Sequence, residues 1–248
     1  MRQRQVSLVL IPVDEITNQV ITKNTIKPSI EYEREPVWKP GFYVFTDLRQ
    51  EQFTLHIQSK LYMEQHIPLQ CLSGKTVIQR IRLMPSARYS FPDNFTAIRG
   101  IGKPGALIRA VNEDGVQQYR LQRDYEPEGL LQILHSDWLD FSGKRVLIQT
   151  ASEKILATLG ECQEDHEFAY PVYTEQGQLN QKLRRQETRI FPVFETRVCE
   201  DGRFYLPVPY GKIPEASITL WYQGREWKTE IKNTIENPIT IEERKGGC

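Results

Sequence analysis

No stretch of this chain approaches the ~20 consecutive apolar residues that a membrane-crossing helix needs, so no membrane span is expected. Cysteine is scarce: Cys71, Cys162, Cys199 and Cys248 lie far apart and form no C-x-x-C pair. That spacing argues against a disulfide-dense scaffold or a zinc knuckle and favours buried thiols. Net charge is also missing, because 32 basic residues balance 32 acidic ones. No global field then draws the chain onto nucleic acid, and no nucleic-acid partner is expected. The sequence has neither a Walker loop nor a G-x-S-x-G nucleophile elbow. Gly100-Ile-Gly-Lys-Pro-Gly105 imitates a phosphate cradle only superficially, since Pro104 removes an amide donor. The acidic stretch 161–167 lacks the alternating acidic frame of a calcium loop. None of His56, His66, His135 and His166 stands at i, i+4 or H-x-H spacing to another, so no catalytic, cofactor or metal residue is assigned.

Export signals are equally thin. Val6-Ser-Leu-Val-Leu-Ile-Pro-Val13 is short, has no small-x-small cleavage site and runs into Asp14 and Glu15. It reads as a strand, and the chain is expected to be cytoplasmic. In that setting Asn94-Phe-Thr96 carries little meaning as a glycosylation sequon. Cys248 follows Lys-Gly-Gly without a complete prenylation pattern and is read as part of a frayed tail.

What the chain does have is aromatic and β-branched bulk, with 11 Tyr, 10 Phe and 4 Trp, a composition suited to half-buried pleated strands. The pattern predicts strands over 6–13, 19–26, 41–48, 53–57, 65–69 and 76–83, with Pro28, Pro36 and Pro40 punctuating a loop or edge. Polar connections at 49–52 and at Ser73-Gly-Lys75 suggest hairpins joining 41–48 to 53–57 and 65–69 to 76–83. Further strands are predicted over 96–100, 106–111, 117–121, 130–134 and 144–150, with a loop holding one helical turn at 137–143. A meander follows, in which 191–198 turns at Glu200-Asp-Gly202 into 203–208, and 216–222 turns at Gln223-Gly224 into 225–231. Residues 153–164 offer the one tempting helix, and 174–189 reads as an exposed loop or solvated helix.

These readings add up to an all-β chain of tandem antiparallel β-sandwich domains, of transthyretin-like or immunoglobulin-like kind. Residues 1–84 would form the first sandwich, 85–93 a linker and 94–240 the second, with a further division near 170 as an alternative. Residues 241–248 would be a disordered tail.

Lys39-Pro-Gly-Phe-Tyr-Val-Phe-Thr-Asp-Leu48, followed by Phe53-Thr-Leu-His-Ile57 and Tyr62, resembles the core motif of carboxypeptidase regulatory-like domains and of the related Cna-B-type and transthyretin-like sandwiches. The likeness spans roughly residues 5–70, and the stretch 194–232 is similar more loosely to the second half of such a domain. The resemblance implies an accessory domain that stiffens, spaces or presents a binding surface. The isopeptide triad of some members does not map onto this chain. The Tyr-Arg-Gly-Ser ending of hydroxyisourate hydrolases is replaced by Lys-Gly-Gly-Cys.

The leading functional reading is therefore a non-enzymatic structural or protein-interaction module, an accessory component of a larger assembly that meets its protein partner through sheet edges and loops. Candidate contacts are Trp138, Trp221, Trp227, Arg184 and Arg185. An alternative makes the tryptophans, with Tyr222, a carbohydrate- or peptide-binding platform, provided they share one exposed face. A second alternative is a hydrolase using His135 with Asp137 or Asp140. His56 and His66 could also meet across a strand pair.

Overall fold

The protein is described by a computed structural model covering residues 5–71, 74–90, 95–114, 118–134, 140–163, 168–209, 215–232 and 236–239. Every regular element among the described residues is a strand, and the chain divides into two compact units, Met1–Ser90 and Phe91–Cys248. The class is all-β, as the aromatic and β-branched composition requires.

The N-terminal unit holds β1 (Val6–Asp14), β2 (Ile26–Ile30), β3 (Val37–Lys39), β4 (Phe42–Thr46), β5 (Gln52–Ser59), β6 (Gln65–Gln70) and β7 (Val77–Leu83). A four-stranded sheet in the order β3-β4-β1-β7 accompanies a three-stranded sheet in the order β2-β5-β6. Between them lies one core: Leu8 and Leu10 from β1, Tyr43 and Phe45 from β4, Leu55 and Ile57 from β5, and Ile81 and Leu83 from β7. Pro40 and Gly41 make the two-residue turn between β3 and β4, and Gly41 takes the positive φ of 91° that a type II turn demands. Pro28 sits inside β2, which is tolerated because β2 is an edge strand.

Both hairpins expected in this unit are absent. β4 pairs with β1 and β3, whereas β5 pairs with β2 and β6, so the short connection 47–51 carries the chain from one sheet to the other. β6 pairs with β5, and β7 runs parallel to β1 instead of returning on β6. The strand expected over 19–26 is only a bridge at Val20 followed by β2. The stretch expected to link the domains packs back on this unit: Tyr62 bridges Pro85, and Tyr89 lies against the core.

The C-terminal unit combines a sandwich with an inserted barrel-like sheet. Its strands are β8 (Phe95–Ile101), β9 (Leu107–Asn112), β10 (Tyr119–Leu121), β11 (Leu131–Leu134), β12 (Arg145–Gln149), β13 (Lys154–Leu159), β14 (Ala169–Tyr170) and β15 (Val172–Thr174). They continue as β16 (Gly177–Gln178), β17 (Arg189–Pro192), β18 (Phe194–Arg197), β19 (Arg203–Pro209), β20 (Glu215–Tyr222), β21 (Arg225–Lys232) and β22 (Glu236–Pro238). One sheet has the order β18-β9-β20-β21 and another β19-β8-β22. An eight-stranded sheet in the order β14-β11-β10-β17-β12-β13-β15-β16 is spliced between β9 and β18. β14 at one end and β15, next to last at the other, are one run of chain interrupted at Pro171, so the sheet closes on itself around Leu121, Leu131, Val146, Ile148, Tyr170 and Ile190. Residue 170, where a domain division was weighed, thus lies in the closing strand.

Three further expectations change here. Residues 154–159 form strand β13 and not a helix, because Lys154 through Thr158 pair in register with β12. The single strand expected over 191–198 breaks at Val193 into β17 and β18, which serve different sheets. β19, which follows β18 after the turn at Glu200-Asp-Gly202, pairs with β8 and not with β18. The hairpin β20–β21 is as expected, with Gln223 and Gly224 at φ 49° and 74° giving the primed turn that matches strand twist. Antiparallel pairing dominates throughout, with β1–β7 and β8–β22 parallel.

Candidate functional site

In a strand, alternate residues face opposite sides of the sheet. Along β1, Leu8 and Leu10 face the core, so Val9 and Ile11 face outward; along β4, Phe42 and Val44 do the same. Register then aligns Val37, Val44, Val9 and Ile78 as one apolar row across all four strands β3, β4, β1 and β7. The middle of the row is half-buried by its neighbours, and its two ends, Val37 and Ile78, are 47% and 68% exposed. Phe42 pairs with Lys39, and Ile11 with Arg80, so a second row sets apolar side chains beside basic ones. Arg82 follows on β7, already engaged by Asn18 Oδ1 at 2.7 Å and by Glu15 at 3.5 Å. At the paired positions of these four strands the outer face carries no acidic side chain, and Glu15, just beyond β1, is the carboxylate that meets Arg82. None of these residues was singled out by motif. The signal was there in the almost unbroken apolar run 6–13, interrupted at Ser7 alone, which is the signature of a strand apolar on both sides.

The opposite face of the same unit is polar. Lys27 pairs with Gln58, Ser29 with His56, His56 with His66, and Gln52 with Gln70. A shallow depression of about 450 Å³ is lined by Gln52, Phe53, Thr54, Pro68, Leu69 and Gln70.

Inside the unit, the carboxylate of Asp14 is fully engaged. Its Oδ1 accepts the amides of Ile16 and Thr17, forming the turn that ends β1, and its Oδ2 accepts the hydroxyls of Tyr62 and Tyr89, each at 2.6 Å. Burial first, and then the hydrogen bond to Asp14, push both phenols well above the usual tyrosine range. The cluster ties the end of β1 to the chain after β5 and after β7, a structural role with no open side.

In the C-terminal unit, the sheet β18-β9-β20-β21 offers a second apolar outer face, and this one is covered. Val111 and Trp221 pack against Leu147 and Phe191 of the inserted sheet and against Val193. The rim is charge-matched: Glu195 accepts from Arg109 at 2.9 Å and lies 3.4 Å from Arg145, while Lys154 donates to Glu113 at 2.7 Å. Burial works against the charge of Glu113, yet Lys154 and Thr219 outweigh it and hold the carboxyl below its usual range.

The sequence candidates fall as follows. Trp221 belongs to that covered face, whereas Trp227 pairs with Leu220 and therefore looks out on the opposite side of the sheet, near Tyr222 at 6.1 Å. The two tryptophans do not share a platform. Trp138, His135, Asp137 and His166 lie outside the described residues. Asp140 caps its own loop by accepting from the amide and hydroxyl of Ser142. Arg184 and Arg185 are exposed; Arg184 reaches Glu187 at 3.4 Å, and the Arg185 amide donates to Asp124. Among the described residues, no three His, Cys, Asp or Glu side chains are grouped to hold a metal ion. His56 and His66 do meet, with ring centroids 4.6 Å apart.

No family model matches the chain, and no curated protein matches it. Among solved structures the chain is similar to one described as the structure of the streptococcal ancillary pilin. Identity is 8%, the alignment covers 98% of this chain and 100% of that one, and the TM-score is 0.21. A superposition this loose carries no argument about either fold or function.

Proposed function

We propose that this chain is a non-enzymatic interaction module, an accessory component of a larger protein assembly, whose N-terminal unit docks a partner protein on the outer face of the sheet β3-β4-β1-β7. The observation that carries the reading is the apolar row Val37, Val44, Val9 and Ile78, solvent-exposed at both ends. Fully burying one Val or Ile side chain stabilises by about 1.5–3 kcal/mol. A row with two such residues at its ends is a reservoir of association energy.

The chemistry of the partner follows from the covered face of the C-terminal unit. There an apolar centre is capped by Leu147 and Phe191, and Arg109 and Arg145 are met by Glu195. On the N-terminal face the exposed Lys39 and the half-buried Arg80 flank the apolar rows. The partner is therefore a protein with an apolar patch, and the exposed Lys39 beside the rows favours a carboxylate at the border of that patch. A second copy of this face fits less well, since it would bring Lys39 and Arg80 against like charges. Arg184 and Arg185 supply further exposed contacts in the C-terminal unit. The carbohydrate-platform alternative gains nothing from the opposed orientations of Trp221 and Trp227.

The test is quantitative affinity purification of the tagged chain from its source cells, comparing wild type with Ile78→Glu and with Thr54→Glu on the opposite sheet. The reading expects a stoichiometric protein that is lost with Ile78→Glu, retained with Thr54→Glu and weakened by salt. Equal recovery with all three chains, or a protein retained by Ile78→Glu, overturns it.

A further inference from the structure

On the polar face of the N-terminal unit, independent of the docking face, we propose a metal site: His56 and His66 form a two-imidazole chelate for a borderline divalent cation, copper(II) above nickel(II) and zinc(II). The two residues sit directly opposite each other on β5 and β6, held by a ladder that runs from Gln52–Gln70 to Ile57–Gln65. Their rings are 4.6 Å apart between centroids and tilted by 57°, close enough for one ion to engage both without moving the backbone. Access is open, because the His66 side chain is 58% exposed and His56 is half-buried.

Glu64 completes the electrostatics. Its Oε1 lies 3.2 Å from His66 Nε2. When the ring is neutral, a proton on Nε2 shared with that carboxylate leaves Nδ1 as the ligand nitrogen. Carboxylate, imidazole and metal in series is the arrangement that fixes the tautomer and strengthens the ligand.

Imidazole suits copper, nickel and zinc, and the order of affinities for nitrogen ligands puts copper(II) first. Once one ring binds, the other is tethered alongside, so chelation exceeds the affinity of either ring alone. No third protein ligand is grouped with the pair among the described residues. The remaining coordination positions belong to water and stay exchangeable, which separates this site from a closed structural zinc site.

The experiment titrates the full chain, thiols blocked with iodoacetamide, with copper(II) sulfate. Calorimetry gives affinity, and electron paramagnetic resonance counts the coordinating nitrogens. The proposal expects one tight equivalent with a two-nitrogen signature. His56→Gln and His66→Gln should each weaken it by about a hundredfold and leave one nitrogen. Glu64→Gln should weaken binding by about tenfold while both nitrogens remain, and His166→Gln should change nothing. Circular dichroism checks that each variant is folded. A two-nitrogen signature that survives either His56→Gln or His66→Gln overturns the proposal, as does a wild-type chain whose copper affinity equals that of the variant carrying both His56→Gln and His66→Gln.

Discussion

Two sheets in this protein turn an apolar face away from their own sandwich core, and they differ in what meets it. In the C-terminal unit, Val111 and Trp221 are capped by Phe191 and Leu147, and the arginines at the border find Glu195. In the N-terminal unit, Val9, Val44, Val37 and Ile78 form the corresponding stripe, edged by Lys39 and Arg80. The first face shows that this chain finishes an apolar sheet surface with large side chains and charge-matched carboxylates. The second has an apolar centre and a basic border, and its ends, Val37 and Ile78, stay exposed. That difference is why the N-terminal face reads as one side of an interface and the C-terminal face as interior.

The comparison is broken most severely by hollowing the covered face. Phe191, 1% exposed, should cost about 3–5 kcal/mol when replaced by alanine, measured by urea unfolding. Ile78→Ala on the presented face should stay within ~0.5 kcal/mol. Equal costs would mean that the two faces are equally buried.

The border charges give the next effect. Glu195→Ala leaves Arg109 and Arg145 partly buried without their carboxylate, and a loss of about 1–3 kcal/mol is expected. Lys39→Ala, exposed on the presented face, should cost clearly less in the same assay.

Alkaline pH probes whether the core beneath the presented face is closed. Tyr62 and Tyr89 are raised in the folded state relative to an unfolded value of about 10. For a group whose folded value is raised, the stabilisation is complete below the unfolded value and is lost as pH climbs above it. Stability of the N-terminal unit should therefore fall above about pH 10, with the tyrosinate signal of these two residues appearing only as the unit unfolds. The double variant Tyr62→Phe, Tyr89→Phe should flatten that decline. Ionisation of both phenols in a still-folded protein would show that the Asp14 cluster is open to water.

The smallest expected effect sharpens the comparison from the other side. Ile78→Glu should shift the midpoint of thermal unfolding barely at all, because its side chain is already mostly in solvent. A marked loss of stability would place Ile78 in the interior of the folded chain.

The sequence was most legible where alternation was local. Phe53-Thr-Leu-His-Ile57 lies in β5 with Phe53, Leu55 and Ile57 inward, and the tight hairpin at Gln223-Gly224 is where its turn residues put it. The meeting of His56 and His66 was also legible, because the two strands are neighbours in sequence. Partnership between strands was not. A short connection such as 47–51 suits a hairpin and a crossing between sheets equally well, and only tertiary packing decides. The parallel pairing of β1 with β7 joins residues about seventy positions apart, which no local pattern encodes. In β13, Lys154-Ile-Leu-Ala-Thr-Leu159 contains helix-favouring leucine and alanine, and its pairing with β12 overrides that preference. The presented face escaped notice because its residues come from four strands and become a patch only in register, although the almost unbroken run in β1 announced that both sides of that strand are apolar.

Site-specific photo-crosslinking tests the docking face most directly. A photoreactive amino acid is placed in turn at Val37, Ile78, Thr54 and Gln58, and the chain is irradiated in its source cells. The proposed interface predicts that Val37 and Ile78 yield the same covalent adduct with one partner protein while Thr54 and Gln58 do not. Adducts formed from Thr54 and Gln58 instead, or from all four positions alike, would contradict it.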